Sequence, residues 1–166
     1  MNPAEQAIRK QIVRDCIREL KPDVEKYPGE YTLVLECLEH YGVTLDSEYS
    51  EDLWHALSES GYLYDAEDEF RNGGQPSGLA TRYDCRHYEN EEHAYLLDTG
   101  EWVGFTYWYG GGKHGEPGAV EWMEGAYFLD VREETRVVSV FSKRDRTFEY
   151  TTTDEGRLDN VYETGE

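Results

Sequence analysis

Residues 71–79 read RNGGQPSGL, and the character of the chain changes across them. Three glycines and a proline in nine positions mark a loop. Before the loop, apolar residues recur every three or four positions; after it they alternate with polar ones. These are the periods of a helix packed on one face and of a half-buried strand. Helices grouped ahead of strands define an α+β layout. The expected fold is about three N-terminal helices packed on a C-terminal antiparallel sheet of five or six strands.

Working back from the loop, Ile8, Ile12, Val13, Cys16, Ile17 and Leu20 predict an amphipathic first helix that starts at Pro3 and is ended by Pro22. Its outer face carries Arg9, Lys10, Arg14 and Arg18 beside Glu5, Asp15 and Glu19, read as a solvated face with intrahelical ion pairs. Tyr31, Val34, Leu35, Leu38 and Tyr41 predict a second helix stopped at Gly42. Ser50 caps a third, which buries Leu53, Trp54 and Leu57 and ends at Gly61. A short final turn holds Asp65, Glu67, Asp68, Glu69 and Phe70. Working forward, strands are expected at 82–88, 93–98, 101–109, 126–131, 135–142 and 146–152, with Thr99-Gly100 turning the hairpin between the second and third. The length fits one domain: an acidic helical part (1–70), a sheet (80–152) and a frayed polar tail (153–166).

Charge is the second informative feature. The chain carries a formal net charge of −20, unevenly spread. Residues 1–21 hold five bases and three acids, whereas residues 22–70 hold fourteen acids and one base, Lys26. A net charge of about 2–8 suffices to keep a small domain soluble. The excess implies a field of several kT that favours basic partners and repels nucleic acid. Candidate partner-binding carboxylates are Asp46, Glu48, Glu51, Asp52, Glu59, Asp65, Glu67, Asp68 and Glu69, with Tyr49, Tyr62 and Tyr64 as aromatic anchors. Carboxylates at helical-neighbour spacing of about 5–6 Å reproduce part of the field of duplex DNA.

No catalytic signature stands out. The glycine-rich segment 108–118, WYGGGKHGEPG, has His114 where a P-loop needs Ser or Thr after its lysine, and the field has the wrong sign for a free nucleotide. It reads as a flexible loop leading to a short helical turn near Ala119–Glu124. Cys85, His87 and His93, with Lys113 and His114, form the one polar constellation an enzyme could use; they lack the ligand count of a zinc site. No metal, cofactor or catalytic residue is therefore assigned, and the chain is expected not to be an enzyme. Three scattered cysteines fit a reducing compartment. With no signal-peptide core in MNPAEQAIRKQ and no long apolar run, the expected location is cytoplasmic, away from membranes.

In size, acidity and lack of catalytic motifs, the chain resembles the small acidic anti-defence proteins of phages and plasmids, the DNA-mimic antirestriction and anti-CRISPR proteins. The stretch 102–130, WVGFTYWYGGGKHGEPGAVEWMEGAYFLD, looks like segments of uncharacterised mobile-element proteins. The resemblance implies an inhibitor that occupies the basic nucleic-acid-binding surface of a host nuclease or surveillance complex. An immunity protein against a nuclease toxin would use the same physics, and a small enzyme built on Cys85, His87, His93 and His114 is the alternative from another class. A homodimer would extend the acidic surface, although no residue pattern requires one.

Overall fold

The computed structural model describes residues 1–112, 115–132 and 134. The chain divides into two units, Met1–Arg132 and Glu133–Glu166; the architecture below is that of the first. Four helices, α1 (Pro3–Lys26), α2 (Thr32–His40), α3 (Glu51–Glu59) and α4 (Leu63–Gly73), precede an antiparallel sheet. Its strands are β1 (Gln75–Pro76), β2 (Glu89–Leu96), β3 (Trp102–Tyr109) and β4 (Tyr127–Leu129), hydrogen-bonded in that order. The α+β class is as expected; the described residues hold four helices where three were predicted, and four strands where the whole chain was predicted to hold five or six.

The helix boundaries follow their caps. The Asn2 side chain accepts from the Glu5 backbone N–H at 2.8 Å, and Glu5 reaches back to the Asn2 N–H, closing a capping box around Pro3. Ser50 caps α3 through the Leu53 N–H at 3.1 Å. Two predictions need correction. Pro22 does not end α1, which runs one further turn to Lys26. A proline removes one hydrogen bond but its φ is helical, and the extra turn buries Val24 against the core. The acidic final turn is instead the eleven-residue α4. Leu63, Ala66 and Phe70, spaced by three and four, bury its inner face, and that burial prevails over the lack of a side-chain cap.

The sheet and its connections need further corrections. Segment 82–88 is not a strand. It loops across the molecule, held by Asn90, which contacts Thr81 and donates to the Tyr83 carbonyl at 3.3 Å. The strand beside β2 comes from inside the predicted loop: Gln75 and Pro76 pair with Ala94 and His93. The β2–β3 turn is longer than Thr99-Gly100 alone, closing through Gly100 N–H to Leu97 O and Leu97 N–H to Glu101 O, both at 2.9 Å. Gly100 takes the positive φ, +86°, that this turn requires. The helical turn expected at Ala119–Glu124 is a 3₁₀ turn at Pro117–Ala119. The predicted strands at 135–142 and 146–152 and the tail at 153–166 lie outside the described residues.

The core joins both layers. Ile8, Ile12, Val34, Leu53, Leu57, Leu63, Val103 and Phe105 are essentially inaccessible to solvent. Phe105 of β3 meets Phe70 of α4 and Trp122 with ring centroids 5.8 and 5.0 Å apart, and Tyr95 of β2 stacks on Phe70 at 4.1 Å. These aromatic contacts, favourable beyond their buried area, fix α4 against the sheet. α4 in turn packs along α1.

Candidate acidic interaction surface

Of the nine predicted carboxylates, Asp46, Glu48, Glu51, Asp52, Glu59, Asp65, Asp68 and Glu69 are exposed, and only Glu67 is half-buried. Burial pushes the Glu67 carboxyl above its ordinary range, with Arg9 pulling it back and Glu121 adding to the rise. Three of the nine meet a base: Glu51 with Arg9 at 3.4 Å, Asp46 with Lys21, and Asp68 with Arg71 at 3.9 Å. All three bases belong to α1 or α4, none to the strands. Among the described residues, no ion pair reaches Glu48, Asp52, Glu59, Asp65, Glu67 or Glu69, so most of the charge faces water uncompensated.

The three tyrosines divide. Tyr64 is 69% exposed and Tyr62 36%, as suits contact residues. Tyr49 is half-buried under Lys10, whose ammonium lies 5.9 Å from the ring centre, and donates to Glu51 at 2.9 Å. Burial first, and that hydrogen bond second, push its phenol up to about 12.

The sequence reading missed how α1 contributes. Asp15, Glu19 and Asp23 recur every four residues, a rise of about 6 Å each along one stripe of the helix. Asp65 and Glu69 repeat the spacing on α4. Together they line two adjoining depressions between the helices that share Glu19 and Ala66 as walls. One, of about 390 Å³, includes Asp15, Arg18, Glu69, Tyr95 and Asp98; the other, of about 170 Å³, includes Cys16, Asp23, Tyr31, Tyr62 and Asp65. The groove thus presents six carboxylates and one guanidinium among the described residues. Arg18 bonds Asp15 at 2.9 Å and Asp98 at 3.0 Å, so its charge is confined to the Asp98 end. Hydrogen bonds from Gln11, Arg18 and Arg14 hold the Asp98 carboxyl below its usual range. The four-residue spacing was the available signal; it was hidden because α1 was expected to stop before Asp23.

Three bases of α1 occupy a neighbouring stripe. Lys10, Arg14 and Lys21 line a separate groove of about 550 Å³ floored by Val13, Ile17 and Leu45, with Asp46 and Glu48 on its far wall. The intrahelical ion pairs expected on this helix are present, Arg9–Glu5 at 3.1 Å and Lys21–Glu25 at 3.9 Å among them.

The enzymatic constellation is placed only in part. Cys85 is half-buried against the core, His87 is exposed and His93 is buried. His93 stacks on Tyr107 at 4.3 Å, with Nε2 3.0 Å from Glu91 and Nδ1 without a hydrogen-bond partner among the described residues. Lys113 and His114 lie outside the described residues. Among the described residues no group of three or more His, Cys, Asp or Glu side chains is arranged to hold a metal ion, and no helix is long and apolar enough to cross a membrane. Comparison with protein-family models, curated proteins and solved structures finds no match.

Proposed function

We propose that this protein is an acidic inhibitor, a partial nucleic-acid mimic, that docks on the basic nucleic-acid-binding surface of a nuclease or surveillance complex. The observation that carries the reading is the α1–α4 groove, where two rows of carboxylates at about 6 Å repeats stand almost without counter-charge. A surface of this kind supplies fixed negative charge that a phosphate-binding channel accepts in place of a nucleic-acid strand. The exposed Asp52 and Glu59 of α3, with Glu48 shortly before it, extend the same field. An immunity protein directed at a nuclease toxin would differ only in its partner.

The test is a competition titration. The full chain is added to a purified restriction nuclease, a CRISPR effector complex and a nuclease toxin, each holding a labelled duplex, at about 50 and 500 mM salt. The wild type is expected to displace the duplex from at least one of them. A variant carrying Glu19→Gln, Asp23→Asn, Asp65→Asn and Glu69→Gln should associate on the order of tenfold more slowly at low salt and similarly at high salt, since the screening length falls from about 14 Å to about 4 Å over this range. Equal competition by both proteins at low salt, or no displacement from any of the three, overturns the reading.

A further inference from the structure

We infer that the Tyr31–Tyr62 cleft at the Asp23 end of the groove is a receptor for a single arginine side chain of the partner; this rests on the proposed docking to a basic surface and names its anchor. The cleft has the build of a cation receptor. Two tyrosine rings with centroids 5.6 Å apart, tilted by 37°, form its aromatic wall, and Cys16, Leu20 and Ala66 are its apolar components. Glu19, Asp23 and Asp65 complete the lining, and none of them forms an ion pair among the described residues.

The wall is also held in place. The Tyr31 hydroxyl donates to Asp23 at 3.4 Å, and the Cys16 thiol lies 3.5 Å from the Tyr62 carbonyl, to which it donates. At about 170 Å³ the space is smaller than the roughly 300–1,000 Å³ of sites for drug-sized ligands, and it suits one side chain. The cleft offers what guanidinium uses: an aromatic face for its planar surface and carboxylates for its fork of donors. A lysine ammonium would gain the charge but neither the stacking nor the fork. The neighbouring depression differs because Arg18 already occupies its Asp15 and Asp98 carboxylates. Tyr64, two residues beyond Tyr62 and largely exposed, adds aromatic surface of the type that anchors interfaces.

The experiment is NMR on the full chain with labelled tyrosine rings, titrated at low salt with a capped pentapeptide containing one arginine, and with lysine or citrulline in its place. The arginine peptide should shift the Tyr31 and Tyr62 ring signals saturably. The lysine peptide should bind at least tenfold more weakly, and the uncharged citrulline peptide should leave the signals unmoved. Tyr62→Leu and Asp65→Asn should each weaken arginine binding at least tenfold, whereas the double variant Glu36→Gln, Glu39→Gln at exposed positions of α2 should retain ring-signal saturation within about threefold. Amide spectra establish that each variant is folded. Arginine and lysine binding equally, or citrulline shifting the rings as arginine does, would sink the assignment. Because no nuclease is present, such a failure leaves the competition result standing, and a failed competition leaves the peptide result standing.

Discussion

Introducing a methyl group at Gly104 tests how β4 is held to the sheet. Gly104 pairs across β3–β4 with Tyr127, whose ring covers the bare glycine. A Cβ there would lie 2.5 Å from Cε2, 2.6 Å from Cζ and 2.9 Å from the hydroxyl oxygen of Tyr127. Carbon atoms rest about 3.5–4.0 Å apart, so the ring must retreat by about 1 Å. It is not free to do so: its hydroxyl donates to Glu92 at 2.7 Å, and Arg82 sits 5.0 Å from the ring centre. Glu92 is only 3% exposed, and its other side-chain partner among the described residues is the Thr106 hydroxyl, at 2.9 Å. If the ring stays, overpacking costs about 1–3 kcal/mol. Should it swing away, a buried carboxylate loses a hydrogen bond worth about 1.5–3 kcal/mol. Either route predicts a loss of about 2 kcal/mol for Gly104→Ala, or roughly 4–8 °C in Tm for a chain of this size. Urea unfolding followed by tryptophan fluorescence measures it, in a cycle with Tyr127→Ala. In the Tyr127→Ala background the cost of Gly104→Ala should fall below about 0.5 kcal/mol. The same loss with and without the Tyr127 ring would refute the argument.

Two further outcomes are expected. Burial raises the Glu67 carboxyl in the folded state, so its contribution to stability is fully present below its unfolded value, about 4.3, and is lost as pH rises through the folded value; Glu67→Gln should therefore raise the urea midpoint at pH 7, with the gain vanishing towards pH 4, and an unchanged midpoint at pH 7 would count against it. Burial, then Glu19 and Asp65, pushes the Cys16 thiol up to about 11; mass spectrometry at pH 8 should find it alkylated by iodoacetamide about two orders of magnitude more slowly in the native protein than in urea, and comparable rates would place the thiol elsewhere than in the core.

The parts of the fold that were legible in the sequence are those where one local signal acts without competition. Ser50 before Leu53, Trp54 and Leu57 defines α3 because cap and apolar spacing agree. The 93–98 and 101–109 patterns give β2 and β3 because alternation persists on both sides of a glycine turn, although β2 starts four residues earlier than its alternation suggested. Misreadings occurred where tertiary burial opposed a local signal. Pro22 is a helix breaker only if nothing beyond it is worth burying, and Val24 is buried. Tyr83, Cys85 and His87 alternate as a strand would, but the place beside Ala94 and His93 of β2 is taken by Gln75 and Pro76. The acidic surface was half legible. Its exposed α3 and α4 residues follow from composition, since charged side chains are seldom buried unpaired. The α1 row was not, because Asp15, Glu19 and Asp23 join it only through the packing of α1 against α4.

The two stripes on α1 have a consequence that net charge alone does not convey. Lys10, Arg14 and Lys21 line one groove while Asp15, Glu19 and Asp23 line the other. The helix therefore carries a dipole across its axis as well as along it. In the field of a basic surface such a body experiences a torque as well as an attraction. It turns its carboxylate groove forward and its lysines away before any atoms touch. For the proposed docking this narrows the range of orientations sampled on approach, which gives α1 the part of a rudder and leaves the overall charge to set the speed.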